Sequence, residues 1–569
     1  MYIGIDVGGT HTDGVLLNED FAVAERVKTE TEEADILSSC LQALKKILAG
    51  RDPAVVKRAT FSSTLGLNAL LTGTADRVGV LATGGPGLAP DLSDNHLSAL
   101  LGGALDHRGE MLAELNPAEA EKALRRLVDE GAEALAVISK FGPKNPAFEE
   151  ALAQSATRLA PDLPLTRGSR LSGRLNFPRR LNTAVFNSAI IRLYERFTAD
   201  LNAAARQMGL NCPLRLLGSD GGTMSLAEAR SKPALALAAG PTAGVLGLWA
   251  LADLDGDVLM MDMGGSSTDL ALMADGAPLM TLEGLSIAGR PTLLRSFLTQ
   301  SLALGGDSAL RLEGDRVMVG PRREGPALAL RPAELGRRAP TFTDALNVLE
   351  LCRVGSSEIS RQALEQFHRA PAEETAALAL NSALEAIKSA AADFLDQVNN
   401  RPVYTLGELR LARSLRPARL ALLGGPAPAL ARAVSGALGL PVSLPPEAQV
   451  ANAVGAASAR PALSAELYAD TALGIMSIPA LGVAEKIPRG YDIQEAQRNL
   501  LARLDAVLEP QAGEPRLIEA ETFNQLTGYG RADKIFRLRA QAAPGLLQHG
   551  AKPNSPQDSG SAAGPSSGN

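Results

Sequence analysis

An eight-residue pattern occurs twice in this chain of 569 residues. Asp6-Val7-Gly8-Gly9-Thr10-His11-Thr12-Asp13 recurs as Asp262-Met263-Gly264-Gly265-Ser266-Ser267-Thr268-Asp269, each copy following an apolar run that reads as a strand. One Gly-Gly between apolar runs is a common hairpin signal and carries no function by itself. Two unrelated hairpins need not share flanking acids and hydroxyls, so the pair reads as an internal duplication whose loops address one ligand.

The residue types describe that ligand. Adjacent glycines after a strand let the backbone approach closely, so that successive N–H groups surround an anion. Thr10, Thr12, Ser266, Ser267 and Thr268 add hydroxyl donors suited to phosphate oxygens. Asp6 and Asp262 would repel those oxygens unless a cation lay between, which implies Mg²⁺ held through its waters. Asp13 and Asp269 close the motifs, and each has two readings: a base or water-orienting group, or a turn hydrogen bond. His11 either donates to the ligand or fills space in its loop.

A chain this long exceeds one ordinary core, so two or three domains are expected. Charged residues at 21% and hydrophobic residues at 46% are those of a soluble globular protein. The net charge of -7, with no basic cluster, leaves no electrostatic footprint for nucleic acid or an anionic membrane. Cys40, Cys212 and Cys352 are too scattered for a zinc site or a disulfide framework, and no secretory signal precedes the first strand. A cytoplasmic location is expected. The uncharged stretch 234–252 is interrupted by Gly240-Pro241 and reads as a loop entering a buried helix, not a membrane span. The chain lacks G-x-x-x-x-G-K-[ST], H-E-x-x-H and G-x-S-x-G, which removes several common enzyme classes.

Strands and helices alternate as in α/β folds. Residues 2–6 and 14–17 read as strands around the first turn, and 32–48 has helical spacing. Residues 77–83 and 132–139 read as buried strands flanking a helix at 117–130 capped by Asn116. A long helical pattern at 183–208 stops at Gly209, and a strand at 213–217 leads into a third Gly-rich turn, Gly218-Ser219-Asp220-Gly221-Gly222. Strands at 257–261 and 270–273 frame the repeated loop. Residues 365–399 are helical with a break near Pro371, and a strand at 419–423 enters Gly424-Gly425-Pro426 before a helix that Gly439 stops. Residues 463–549 form a smaller mixed appendage, and 551–569 have the composition of a disordered tail. His96, His107, His368 and His549 show no ligand spacing.

Two such loops on tandem α/β halves, followed by a late strand, Gly-Gly turn and helix, resemble the nucleotide-binding superfamily of actin, sugar kinases and heat-shock chaperones. The ordered motifs are similar to the hydantoinase A/oxoprolinase family: GIDVGGTHTDGVLL at the start, SSTLGLNALLTG at 62–73, RVGVLATGG, GPTAGVLG at 240–247, MDMGGSSTDLALM and TFTDALNVL at 341–349. The resemblance covers residues 1–460, and ETFNQLTGYGR at 521–531 resembles the family's C-terminal region, here short. It implies two tandem ribonuclease-H-like (actin-like ATPase) domains, at 1–180 and 181–460, with a smaller C-terminal α+β appendage at 461–549 and a tail at 550–569.

The resemblance also implies an activity: ATP-dependent opening of a cyclic amide of the 5-oxoproline or hydantoin type. The γ-phosphoryl group would pass to the lactam carbonyl oxygen, water would add at carbon, and the ring C–N bond would break. ATP and Mg²⁺ are the implied cofactors, with Asp6 and Asp262 on the metal. Gly8, Gly9, Thr10, Gly264, Gly265 and Ser266 would line the phosphates, and Gly424 and Gly425 would face the adenosine. Asp220, where relatives usually show Asn, either contacts substrate or stabilises its own turn.

Similar chains serve ketone carboxylation, and kinases and nucleotide-regulated binding proteins share the fold, so those readings stand beside the hydrolase. Two stretches depart from the family pattern: Leu304-Gly305-Gly306-Asp307-Ser308 gains an acid, and GPRREGPA at 320–327 is unusually basic. The chain holds no counterpart of the hydantoinase B polypeptide, so a B-type partner subunit and an oligomeric assembly are expected.

Overall fold

The computed structural model describes residues 1–547 apart from 33–34, 253, 282, 402–412 and 528–530. The expected tail, His549 and the last part of the ETFNQLTGYGR stretch lie outside the described residues.

The two copies of the motif are hairpin turns in the same register. Tyr2–Val7 pairs antiparallel with His11–Leu17, Asp6 opposite Asp13 and Val7 opposite Thr12. Val258–Met263 pairs with Thr268–Ala274, Asp262 opposite Asp269 and Met263 opposite Thr268. A sheet of one topology surrounds each hairpin. In the first, Val23–Glu30 lies outside His11–Leu17, while Arg58–Ser63 and then Leu214–Leu217 add in parallel beside Tyr2–Val7. In the second, Ala277–Pro278 and Thr299–Leu302 lie outside Thr268–Ala274, while Arg419–Leu423 and Val442–Ser443 add in parallel beside Val258–Met263.

The first strand is buried on both faces. Ile3 and Ile5 pack into a core shared with the helices Ile36–Leu48 and Phe177–Gln207, and each contributes roughly 1.5–3 kcal/mol. Tyr2 faces the helix Ala451–Ser458 on the other side. Gly4 is required there, since a Cβ would lie 1.9 Å from Ala453 O. The chain between Arg58–Ser63 and Leu214–Leu217 supplies a further parallel sheet built on Val78–Gly84 and Ala134–Ser139, as expected, with Ser98–Leu105 and Leu165–Arg167 outside them.

The first sheet therefore takes its last strands from beyond residue 180, and its core takes in Leu237, Ile287 and Leu294. The expected boundary at 180 falls inside the helix Phe177–Gln207, whose cap Asn176 lies seven residues before the helical pattern read at 183–208. The polar start of that helix hides it: Arg180 is fully buried and its guanidinium donates to the carbonyls of Ser139 and Lys140. Arg58–Ser63 escapes sequence reading for a similar reason, since Arg58, Thr60, Ser62 and Ser63 interrupt its apolar run although every residue is buried.

Two short helices tie the halves together. Ala239–Leu251, with Gly240 and Pro241 in a first turn that needs no intrahelical N–H partner, crosses Ala451–Ser458. At the crossing backbone touches backbone: a Cβ on Gly247 would lie 2.1 Å from Ala451 O, and one on Gly455 2.2 Å from Ala243 O. The C-terminal appendage is a five-stranded sheet around Leu463–Asp470 and Arg531–Ala542, covered by the helix Ile493–Asp505. Among the described residues, no helix is long and apolar enough to cross a membrane.

Candidate functional site

Both turns close with the same bond. Gly8 N–H donates to His11 O at 3.0 Å, and Gly264 N–H donates to Ser267 O at 2.8 Å. The tips then carry Gly9-Thr10 and Gly265-Ser266, and they face one another: a Cβ on Gly265 would lie 2.6 Å from Thr10 Oγ1. The duplication thus brings two hydroxyl-bearing glycine loops to one place, as a shared ligand requires.

Asp6 and Asp262 stand at matching ends of the two central strands. Asp6 Oδ1 is buried with no hydrogen-bond partner, and so is the hydroxyl of Ser62, opposite it in the parallel ladder. Burial pushes the Asp6 carboxyl up to about 7, Asp13 adding to the effect while Ser62 and Asn452 oppose it. Burial also raises Asp262 to about 7, helped by Asp269 and Asp6 and opposed by Asn452, whose Nδ2 donates to Asp262 Oδ2 at 2.9 Å. Two buried carboxylates that resist charging, one with an orphaned oxygen, form a donor set suited to a hard divalent cation. Among the described residues no three His, Cys, Asp or Glu side chains converge as a ligand cage, so water and ligand oxygens would complete the coordination of such an ion.

The hydroxyls divide by position. Thr10 and Ser266 sit at the tips, and Ser266 is exposed. Thr12 and Thr268 are fully buried, and their side chains are committed inside the protein: Thr12 Oγ1 is 2.9 Å from Thr31 Oγ1, and Thr268 Oγ1 donates to Leu304 O at 2.6 Å. His11 keeps an exposed edge beside the first tip, and partial desolvation and then Lys28 hold its imidazole pKa below the ordinary histidine value.

The acids that close the motifs have partners directly across their sheets. Lys28, opposite Asp13, donates to it at 2.7 Å; Ser301, opposite Asp269, donates its hydroxyl to Asp269. Identical positions thus have different chemistry. Burial raises both carboxyls, opposed by Lys28 at Asp13 and by the Ser301 hydroxyl at Asp269. Asp220 stands apart from these four. Its Oδ1 accepts from Gly222 N–H at 3.0 Å within its own turn, and Arg295 opposes the upward shift caused by burial.

Gly424, at φ 97°, lies beneath the second loop, where a Cβ would meet Met263 O at 2.1 Å and Asp262 Oδ1 at 2.9 Å. A Cβ on Gly425 would meet nothing within 4 Å, so an open ledge adjoins the loop. Asn452, Lys28 and Ser301 were missed in the sequence, where no local pattern marks them.

The hydantoinase/oxoprolinase N-terminal region matches residues 2–160, and the hydantoinase/oxoprolinase domain matches residues 180–464. Caprolactamase subunit alpha of Pseudomonas jessenii is 24% identical over 457 residues, which cover 74% of this chain and 64% of that protein. Acetophenone carboxylase gamma subunit of Aromatoleum aromaticum is 25% identical over 399 residues, 61% of this chain and 53% of that protein. The matched stretch spans less than two thirds of either relative. In fold, the chain is similar to nucleotide-free acetone carboxylase, with a TM-score of 0.68, 16% identity and coverage of 95% of this chain and 87% of that one. It is equally similar to the ATP-dependent caprolactamase of P. jessenii, with a TM-score of 0.67, 17% identity and coverage of 96% and 87%. Matching both of its regions across the paired hairpins, the chain belongs to the hydantoinase/oxoprolinase family.

Proposed function

We propose that this chain is the ATP-dependent subunit of an enzyme that opens cyclic amides of the 5-oxoproline or hydantoin type, working with a B-type partner. One observation carries the reading: two hairpin loops of identical register face each other over Asp262, held by Asn452, and Asp6, one of whose carboxylate oxygens is buried and orphaned. The repeated sheet order supports a pair of ribonuclease-H-like halves, with Leu214–Leu217 and Thr223–Ser225 closing the first sheet and Val258–Met263 opening the second. Mg-ATP bound between them would supply a phosphoryl group for the amide oxygen, turning a resonance-stabilised carbonyl into an electrophile with a leaving group.

The chain's residues then bind and orient. Backbone N–H groups of Gly9 and Gly265, with the hydroxyls of Thr10, Ser266 and Ser267, hold phosphate oxygens, while Gly8 and Gly264, whose N–H groups close the turns, let the backbone approach the nucleotide. Thr12 and Thr268 brace the hairpins from behind. Asp6 and Asp262 would hold the metal, and the ledge at Gly424 and Gly425 would receive the adenosine. Asp269, free of a cation, accepts a proton from the attacking water, while Asp13 stays paired with Lys28. Asp220 acts from its separate turn as a substrate contact. Positioning and the preorganised donors carry the catalysis.

Caprolactamase, by its name, acts on a cyclic amide, and that likeness favours the amidase reading. The likeness to acetophenone carboxylase keeps ketone carboxylation as a second reading. ATPase measured with 5-oxoproline, hydantoins, and ketones plus bicarbonate, with and without a B-type chain, separates them. Stimulation by a cyclic amide with release of the ring-opened product is expected; stimulation by ketone plus bicarbonate alone would replace the amidase reading.

A further inference from the structure

A side-chain cluster separate from the paired aspartates joins the two loops. Asp307 belongs bodily to the second loop, since its N–H donates to Gly265 O at 2.7 Å and the neighbouring Gly306 N–H donates to Gly264 O at 3.0 Å. Its buried carboxylate reaches across to the first loop, where Thr10 Oγ1 donates to Asp307 Oδ2 at 2.7 Å. Arg323 completes the cluster from the end of the strand Arg316–Arg323, beside the Ser308 that follows Asp307. Its Nε is 3.5 Å from the same Asp307 oxygen, and its Nη2 donates to Thr10 Oγ1 at 3.1 Å. These are the two departures from the family pattern noted in the sequence, the added acid and the basic GPRREGPA stretch, and the fold brings them together.

Thr10 has one hydroxyl proton. With Asp307 accepting it, the hydroxyl cannot donate to a phosphate. A phosphate arriving at the loop junction must therefore displace the carboxylate from Thr10, and it brings a second anion against Asp307. Arg323 already contacts both groups, and a guanidinium fork can bridge a carboxylate and a phosphate. We propose that Asp307 and Arg323 form a selector for the terminal phosphate: the γ-phosphate takes over Thr10 and the Arg323 guanidinium from Asp307, whereas a diphosphate leaves the Thr10–Asp307 tie closed. Asp307 is the competing anion and Arg323 the cation for which the two compete. The inference rests on the nucleotide reading above and adds discrimination between ATP and ADP.

The test is equilibrium titration of full-length wild type, Asp307→Asn, Arg323→Gln and Arg323→Lys with Mg²⁺ plus ADP or a non-hydrolysable ATP analogue, each variant checked for folding by thermal melting. Asp307→Asn keeps an acceptor for Thr10 but removes the competing charge, so the ATP analogue should bind about fivefold tighter or more, with ADP unchanged. Arg323→Gln should weaken the ATP analogue about tenfold and ADP far less, and Arg323→Lys should recover part of the loss. Where Arg323→Gln does not fold, the lysine variant and Asp307→Asn decide. An unmoved ATP-to-ADP ratio in Asp307→Asn, or equal weakening of both nucleotides by the Arg323 variants, overturns the selector while leaving the nucleotide site intact. A wild type that binds neither nucleotide overturns the nucleotide reading itself, and the selector with it.

Discussion

Asn452 Nδ2 lies 2.9 Å from Asp262 Oδ2, so a helix from the end of the second half fixes the carboxylate that begins it. An amide donor there favours the charged form of an acid that burial otherwise keeps protonated. Asn452→Ala is expected to weaken the Mg²⁺ dependence of ATPase about 10–100-fold, the usual effect of removing a group that orients a metal ligand. A Mg²⁺ titration of ATPase measures it, and an unchanged midpoint would take Asn452 out of the site.

The two central aspartates should separate stability from activity. Asp6→Asn and Asp262→Asn each remove a charge that burial disfavours, so both variants should fold at least as well as wild type while losing about 10²-fold or more in Mg-ATP turnover. Denaturation curves beside single-turnover rates give both numbers. Retained turnover in both variants would refute the metal assignment.

The same carboxyls set a pH dependence in nucleotide-free protein. Folded, they hold protons up to about 7; unfolded, only up to 3.8. Between those values the folded chain binds more protons, so stability should fall as pH rises through this window and level off above about 7. Denaturant midpoints at about pH 5.5 and about pH 7.5 test the slope, which should flatten in the Asp6→Asn/Asp262→Asn double variant.

Thr10 and Thr12 lie two residues apart, yet their substitutions should read out differently. Thr10→Val removes a tip hydroxyl tied to Asp307 and Arg323 and should raise KM for ATP, with some loss of melting temperature as well. Thr12→Val removes a fully buried hydroxyl bonded to Thr31 and should chiefly lower stability, by about 1 kcal/mol. Identical KM values for the two variants would contradict the division of the loop into a binding tip and a bracing base.

At the helix crossing the usual rule for glycine should reverse. Gly→Ala inside a helix ordinarily stabilises by about 1 kcal/mol. Gly247→Ala and Gly455→Ala instead drive a Cβ to within 2.1 and 2.2 Å of carbonyl oxygens, and should destabilise by about 1–3 kcal/mol. Urea unfolding of each variant measures the sign; stabilisation would mean the helices separate freely.

The hairpins were legible in the sequence because glycine pairs, flanking acids and apolar runs are local signals. The strand Arg58–Ser63 was not, since its polar residues are buried by strands and helices distant in sequence: Arg58 Nη2 donates to the carbonyls of Ala457 and Ala459. The partners of the site acids were hidden in the same way. Lys28, Ser301 and Asn452 lie 15, 32 and 190 residues from the carboxylates they contact, separations set by strand pairing and by a helix crossing. Asp307 was visible as a departure in its motif, but its reach to Thr10, 297 residues away, follows only from the loops facing each other.

Two helices whose backbones meet at Gly247 and Gly455 can rotate about their contact but cannot slide along it without collision. Gly4 rests on one of these helices, and a Cβ on Gly244 of the other would lie 2.7 Å from Asp262 Oδ2, so the two carboxylates sit close to that fulcrum. Displacement about a pivot grows with distance from it. A rotation at this contact would move the loop tips, the ledge at Gly425 and the outer strands further than Asp6 and Asp262, so the spacing between the loops could change with the two carboxylates nearly in place.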